Sequence, residues 1–591
     1  MITLGLSVFA DASAALIENG KIICAVEEER LNRIKHYDGM PYLAVDECLR
    51  IANLNLSDVD IISIGWNPLL GWKTRICESL KMICSRSSSL AGKLNRGNNY
   101  FTRCMDIFHL KTLLVRKFHL NKINAKIVYV PHHLAHAASV YLTSRFDQAN
   151  ILIADGVAEA AAISFFQAQN NKILPLKVIN YPHSLGHIYA SVTGFLGFKM
   201  TCDEGKVMAL AGFGQDEYQN LFRRLIKFNG ASNNMLSIDT SILDYHNARI
   251  GVFSHKWRQE TNLGPRSPDE SLTCSHNHLA NSLQNRIEAA VLHLLNQEFA
   301  SSNRKPLCAA GGLFLNSVLN GKIITNFNRN FYVFPAAGDN GVSVGAALYA
   351  DSIYNPKFLR TPIVNASWGA DFSQSPIRYI LQKRKIHFRQ SDYIYTYTAN
   401  LLAQGKIIAW FQGKMEFGPR ALGNRSILAL PQFNWMKDAL NLKVKHRESF
   451  RPFACAVLLD EARLYFDHLE ESPFMLKVFR IKDQYLSQFP AIRHIDNSCR
   501  IQTVTKENNY PFYLLLHEIK KLTGYGLVLN TSMNVAGEPI INTPQEAVDL
   551  ILNTDLDYLI LDDFIVSKQE ITLNYDLIAD CCCSGHKFSQ P

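Results

Sequence analysis

His132, His133 and His136 fall within five residues of an Ala- and Leu-rich stretch, Pro131 to Ser139. A helix is the favoured conformation for such a composition, and it puts His132 and His136 on one face with His133 turned about 100° away. Two imidazoles on one face can share a divalent metal. The H-x-x-x-H spacing alone better fits the N-terminus of a surface helix, because it lacks the built-in glutamate of H-E-x-x-H. Carboxylates elsewhere must decide. Asp155, at the end of an apolar run, is one candidate, and Asp339, in the loop Pro335 to Gly341, is another, although a helix N-cap role is equally open to Asp339.

Two further groups of residues suit an anionic ligand. Gly311 and Gly312 precede Leu313 to Asn316, and paired glycines let the backbone approach a nucleotide closely. Toward the C-terminus, Arg420 and Arg425 lie among glycines, Lys445 and Arg451 follow, and Arg500, Asn530 and Ser532 complete a basic and polar set. Arginine forks match phosphate oxygens bidentately, and lysine neutralises them as a point charge. Neither G-x-x-x-x-G-K-[ST] nor G-x-G-x-x-G occurs, so a nucleotide must be held by loops of another kind.

The elements that position these residues follow from hydrophobic patterning. Strands are expected over 2–8, 14–18 and 21–27, with Asn19-Gly20 as a hairpin signal. The same grammar returns at 151–154, 161–167 and 173–179, and the acid after each leading strand (Asp11, Asp155) suggests a duplicated unit. Two related α/β lobes with acidic turns facing a cleft describe an actin-like architecture. Further strands are expected at 307–310 and 331–334, and a small-residue helix at 342–349. The stretch 351–372, with Asn355-Pro356 and Thr361-Pro362, reads as a linker.

At 591 residues, 47% hydrophobic and 19% charged, the chain is an ordinary globular protein of several domains. The net charge of +9 is local: residues 73–126 hold twelve Lys/Arg against Glu78 and Asp106, so a uniformly basic nucleic-acid binder is disfavoured. That segment, with serines at 85 and 87–89, is either a solvated helical insertion or a surface for an anionic acceptor. Thirteen scattered cysteines form no C-x-x-C pair, and the triplet Cys581-Cys582-Cys583 lies in a polar tail. An apolar N-terminus without a basic start, and no run of about 18 apolar residues, point to a cytoplasmic protein with no membrane partner.

Along the chain run F-x-D-A-S-A-A-L from Phe9, E-E-E-R-x-x-R-x-K-H from Glu27 to His36, H-H-L-A-H, Asp155-Gly156, E-G-K-V-M from Glu204, G-G-x-x-L-N-S, A-A-G-D, F-G-P-R-A-L-G-N-R-S, F-R-P-F and N-T-S-x-N-x-x-G-E-P. Taken together, these motifs resemble the O-carbamoyltransferase family that acts on antibiotics, nodulation factors and related metabolites. The resemblance spans nearly the whole chain. It implies an α/β fold: a duplicated actin-like (ASKHA) carbamoyl-transfer domain at 1–355, with the basic insertion at about 70–126, then an α+β domain at 356–591 similar to threonylcarbamoyl-adenylate synthase.

The implied reaction has two steps. Carbamoyl phosphate and ATP, with Mg(II) as a further candidate ion, give carbamoyl-adenylate; a hydroxyl of a small-molecule acceptor then takes the carbamoyl group and AMP leaves. Carried over residue by residue, His132, His136, Asp155 and Asp339 hold a divalent metal, Fe(II) in the family. Arg420, Arg425, Lys445, Arg451, Met475, Arg500, Asn530 and Ser532 bind carbamoyl phosphate and ATP, and Lys206, Gly311, Gly312 and Asn316 bind the adenylate. Position 10 departs from the family: Ala10 stands where a histidine, a candidate general base, is usual, next to Asp11. Divergence and deliberate substitution both account for it, and slow transfer with adenylate formation intact is the expectation. A tRNA threonylcarbamoyl-modifying enzyme and an inactive actin-like nucleotide-binding module are the alternatives. No nucleic acid partner is expected, and the acceptor and the oligomeric state, a homodimer included, are left open.

Overall fold

The computed structural model describes residues 1–8, 10–71, 104–230, 235–243, 253–302 and 305–571. Phe9, most of the basic segment and the Cys581-Cys582-Cys583 triplet lie outside the described residues. The chain divides into two compact units, Met1–Ile363 with Leu476–Val478, and Val364–Met475 with Phe479–Pro591.

The first unit holds two five-stranded sheets of the same design. In one, β1 (Ile2–Ser7), β2 (Ser13–Glu18) and β3 (Lys21–Glu27) form an antiparallel meander, and β4 (Ile61–Ile64) and β5 (Lys126–Tyr129) add in parallel, in the order β3-β2-β1-β4-β5. In the other, β6 (Gln148–Ala154), β7 (Ala161–Gln169) and β8 (Lys172–Asn180) form the meander. After a small ribbon of β9 (Ile226–Phe228) and β10 (Leu236–Ile238), β11 (Leu307–Ala310) and β12 (Phe331–Val333) add in parallel, in the order β12-β11-β6-β7-β8. The repeated order makes the duplication explicit, and this unit has the actin-like fold. Tight hairpins suffice for the antiparallel pairs, whereas parallel neighbours need crossovers; the helix Tyr42–Ala52 lies between β3 and β4.

Small residues let the layers close. A Cβ on Gly5 in β1 would stand 1.9 Å from the Ser343 carbonyl oxygen, and one on Gly345 would stand 1.8 Å from that of Ala135. The helix Val342–Tyr354 therefore lies backbone-close to both β1 and the helix His132–Leu142. This explains its Gly- and Ala-rich sequence, and it runs five residues beyond the expected end. The described end of the basic segment is not an independent insertion. Its helix Leu110–Lys117 buries Leu110 and Leu114, which join Ile107, Ile123 and Ala125 in the core beneath the first sheet.

The second unit is built on one mixed sheet of nine strands. Their spatial order is Arg389–Gln390, Phe564–Ser567, Tyr558–Leu561, Ile408–Phe411, Arg425–Ala429, Leu527–Ser532, Ala454–Leu458, Ser498–Val504, Lys477–Arg480. Trp410, Leu428, Val528 and Leu515 are among the residues of its core. Register sets Asn530 between Leu428 and Ala454, and Cys455 beside Ile501, so Asn530 and Arg500 sit near one level of the sheet. Among the described residues, no helix is long and apolar enough to cross a membrane.

Candidate functional site

The helix His132–Leu142 starts at Pro131 and presents its two facing histidines at once. Their Nε2 atoms stand 3.2 Å apart. The loops after β6 and after β12 bring the carboxylates: Asp155 Oδ2 lies 3.3 and 3.6 Å from His132 and His136 Nε2, and Asp339 Oδ1 lies 3.4 and 3.6 Å from them. All four ligand atoms lie within 4.8 Å of one another. Donors bonded at about 2.1 Å to a tetrahedral first-row ion stand roughly 3.4 Å apart, so the cluster has the spacing a divalent metal requires. The N-cap of the helical turn that Asp339 begins is Gly338, and the Asp339 carboxylate faces the histidines.

Neighbouring groups fix these side chains. His132 Nδ1 donates to the Gly65 carbonyl oxygen at 3.0 Å, which fixes the ring and turns Nε2 to the cluster. The backbone N–H groups of His132 and Asn67 both donate to Glu159 Oε1, at 3.0 and 2.8 Å, which puts a carboxylate at the helix N-terminus. Asp155 Oδ1 accepts from Gly312 N at 3.2 Å. Burial lowers the pKa of His132, but Asp339 and Asp155 outweigh it and hold it well above the ordinary value. Burial would raise Asp155, yet the two histidines keep it well below the usual carboxylate range. His133 differs: its Nδ1 bonds Ser164 Oγ at 2.7 Å, and burial with the neighbouring His132 pushes it down to about 3.

The turn after β1 is pinned by the E-E-E-R motif, in which each acid has a separate role. Glu28 accepts from Leu43 N and Ala44 N at 3.2 and 2.7 Å, holding the start of the Tyr42–Ala52 helix. Glu27 pairs with Arg30 at 2.6 Å and accepts from Asn340, the residue after Asp339. Glu29 pairs with Arg30 and accepts the His36 N–H at 2.8 Å. His36 Nδ1 in turn meets Asp11 Oδ1 at 2.8 Å. Both residues have left-handed backbones, φ 43° at Asp11 and φ 55° at His36. That costs roughly 1 kcal/mol each for non-glycine residues, so the surrounding contacts must impose it.

In the second unit, positive charge accumulates around Arg420, Arg447, Arg451 and Arg500, with Glu448, 3.9 Å from Arg451, among them. Burial, then Arg500 and Arg451, lower Arg420 well below its ordinary value; burial, then Arg451 and Arg500, do the same to Arg447. Arg500 is pushed down to about 10 by burial, with Arg451 adding to the effect. The Nε atoms of Arg420 and Arg500 are buried without a hydrogen-bond partner among the described residues. Lys445 Nζ donates to Ser532 O and to Asn534 O and Oδ1, the latter two at 2.9 Å, and Ser532 Oγ donates to Asn534 Oδ1 at 2.6 Å. Buried cations that repel one another and keep spare donors are an arrangement an anion stabilises. Met475, also buried, has a left-handed φ of 58°.

The matching family descriptions are "Carbamoyltransferase N-terminus", over residues 2–348, and "Carbamoyltransferase C-terminus", over residues 399–568. The chain belongs to the carbamoyltransferase family. An uncharacterized protein of Synechocystis is 34% identical over 608 residues, covering 96% of each chain. The nodulation protein NolNO of Sinorhizobium fredii is 33% identical, covering 95% of this carbamoyltransferase and 79% of that protein. Nodulation protein U of the same organism is 28% identical, covering 91% and 94%. Among solved structures, HypF of T. kodakarensis is similar at 13% identity and a TM-score of 0.29, covering 61% of this chain and 49% of that one; the strand order above, not this overlap, carries the fold assignment.

Some residues singled out from the carbamoyltransferase sequence have structural roles. Arg425 is fully buried and its guanidinium ends on backbone carbonyls, among them those of Gln412 at 2.9 Å and Gly413 at 3.0 Å, while its ring-facing side covers Phe411. It is not available as a phosphate arm. Asn316 accepts from Leu319 N at 3.0 Å as the N-cap of the Ser317–Asn326 helix and donates to Gln284 at 2.9 Å, so its side chain is committed to the fold. Gly311, with φ 99°, is required because a Cβ would stand 2.2 Å from the Ala154 carbonyl oxygen, a close approach to β6. Gly312 serves Asp155 as described. Lys206, in the helix Glu204–Ala211, pairs with Asp203 at 3.2 Å and lies over Phe198.

Sequence reasoning missed Glu159, His36 as the partner of Asp11, and His187. The last is pushed down to about 4 by burial, and its Nε2 would lie 3.5 Å from a Cβ on Gly156. The E-E-E-R-x-x-R-x-K-H motif was the available signal for His36; Glu159 carried none, because its role depends on a helix far away in sequence.

Proposed function

We propose that this carbamoyltransferase makes carbamoyl-adenylate from carbamoyl phosphate and ATP, with release of phosphate from the first and pyrophosphate from the second in the overall balance, and transfers the carbamoyl group to a hydroxyl of a small-molecule acceptor, with AMP as the leaving group. The observation that carries this reading is the self-repelling arginine cluster of the second unit. Arg420, Arg451 and Arg500 bring the charge, and the Nε groups of Arg420 and Arg500, unpartnered among the described residues, the donors, to hold two phosphate-bearing substrates against each other, while Lys445, Asn530 and Ser532 are bonded to neighbouring groups and complete the polar set. Phosphoryl and acyl-phosphate chemistry of this kind depends on positioning and charge neutralisation more than on covalent catalysis by the protein.

His132, His136, Asp155 and Asp339 would hold a divalent ion, Fe(II) by family resemblance, since neutral imidazoles and carboxylates suit a borderline metal. Such an ion, when bound, neutralises adenylate phosphate charge and polarises the mixed anhydride. The protein's own part is to hold the four ligands in register: Gly65 fixes the His132 ring, Gly312 anchors Asp155, and Glu159 steadies the helix that carries both histidines. Ala10 has no group that can receive a proton, so transfer is slow relative to a chain with histidine there, while adenylate formation is unaffected.

The test is mass spectrometry of products from a panel of hydroxylated acceptors, incubated with ATP, carbamoyl phosphate and Fe(II), with pyrophosphate followed in parallel. Pyrophosphate release that depends on carbamoyl phosphate, together with an acceptor gaining one carbamoyl group, is the expected result. Neither product forming with any acceptor would sink the reading.

A further inference from the structure

The β1–β2 turn brings a paired carboxylate and imidazole to the edge of the candidate metal centre. Ala12 N donates to Tyr37 O and Glu28 N to Ala12 O, both at 2.9 Å, so the turn is locked to the segment that ends in His36. Asp11 Oδ1 is held by His36 Nδ1 at 2.8 Å. Asp11 Oδ2 has no hydrogen-bond donor among the described residues, and it lies 3.9 Å from where a Cβ on Gly338 would stand, next to Asp339. Both side chains are 32% exposed, so a substrate can reach them. Of the other groups around the centre, His133 is committed to Ser164, Glu159 to two backbone N–H groups, and Glu29 to Arg30 and the His36 N–H, while His187 lies on the Gly156 side.

The geometry points to Asp11 Oδ2 as the atom that takes the proton from the attacking hydroxyl, with His36 as the positioning residue that fixes the Asp11 carboxylate. This rests on the two-step reading above and assigns the proton transfer within it. The O–H bond of the acceptor breaks and its proton passes to Asp11 Oδ2. The hydroxyl oxygen bonds the carbamoyl carbon, and the bond from that carbon to the AMP phosphate oxygen breaks, AMP leaving with the electron pair. Asp11 then returns its proton to solvent. His36 is suited to support it. Burial lowers the His36 pKa, but Asp11 outweighs burial and Cys202 adds to the rise, up to about 10, so an imidazolium faces the carboxylate. Glu29 and Glu204 also face His36, and Glu27, Glu29 and Asp339 face Asp11.

The test uses the full chain with Fe(II), ATP, carbamoyl phosphate and glycerol as the hydroxyl probe. Pyrophosphate release, glycerol carbamoylation, bound iron and melting temperature are read for Asp11→Asn, His36→Gly and His36→Asn, each with residue 10 unchanged and with Ala10→His. Glycine tolerates the left-handed backbone at position 36, and asparagine both tolerates it and keeps a donor near the Nδ1 position. With Ala10 present, Asp11→Asn lowers carbamoylation about 100-fold and His36→Gly about tenfold, as expected for loss or misplacement of a general base. His36→Asn stays within about threefold, and pyrophosphate release and iron content are unchanged. With Ala10→His, each loss shrinks to about threefold, because a second base is at hand. Equal losses in both backgrounds make the pair structural and overturn the assignment, as does carbamoylation that Asp11→Asn leaves intact. Absence of pyrophosphate release in the unaltered chain overturns the two-step reading itself, which separates the two failures.

Discussion

The two five-stranded sheets of the first unit share one strand order, and each follows its leading strand with an acid in the next turn, yet the two turns hold different partners. Asp155, after β6, meets two histidines of one helix and a second carboxylate from the β12 loop. Asp11, after β1, meets one histidine from the chain that follows β3. Asp155 is nearly enclosed and kept ionised by its histidines; Asp11 is a third exposed, and burial outweighs His36 to raise its pKa. A duplicated fold thus supplies an acidic turn after each leading strand, and what the intervening chain delivers decides whether that acid joins a cluster of histidines and a second carboxylate or a single imidazole.

The largest effect is expected at the histidine pair. His132→Ala should lower bound iron, measured by elemental analysis, and reduce carbamoyl transfer by at least about 100-fold, since losing a ligand exceeds the 10–100-fold typical of an outer-shell change; undiminished iron would remove His132 from the site. Ala10→His should raise carbamoyl transfer roughly tenfold or more without altering pyrophosphate release, as restored base catalysis predicts. No gain would mean that position 10 does not face the acceptor. Glu159→Gln should weaken iron binding about tenfold and cost about 1 kcal/mol of stability, through loss of the carboxylate at the helix N-terminus; a denaturant titration with iron content on the same samples checks it.

Smaller effects sharpen the contrast. His36 holds in the folded chain a proton that the unfolded chain releases above about pH 6.5, and its folded value is pushed up to about 10. Its contribution to stability is therefore complete below about pH 6.5 and is lost as pH rises toward 10. The melting-temperature gap between the unaltered chain and His36→Gly should narrow over that window, modestly because the pair is partly exposed. A gap that widens contradicts the sign. Last, His133→Gln should leave iron content within about twofold and cost about 1 kcal/mol from its lost bond to Ser164.

Periodicity located the strands of both meanders and the histidine helix, because hairpin signals and helix propensity are local. The motif resemblance named the four candidate ligands, and the structure brings all four together. It also named Arg425 and Asn316, whose side chains turn out to serve carbonyls and a helix start. Residue type could not separate these cases: an arginine suited to phosphate is equally suited to backbone oxygens, and an asparagine suited to a base is equally suited to an N-cap. The basic segment misled for another reason. Charge counting registers its lysines, while Leu110 and Leu114, which carry it into the core, are hidden among them.

By itself, then, the sequence determined the family, the duplicated grammar and the residue types able to bind metal and anion, since these depend on order along the chain. Only the tertiary structure decided which donors converge. Asp339 reaches His132 across more than two hundred residues, Glu159 reaches the start of a helix that precedes it, and His36 reaches Asp11 through a strained turn. Hydrogen-bond and ion-pair energies fall away within a few ångströms, so a residue's role is set by its neighbours in space, and those are fixed only when the layers pack.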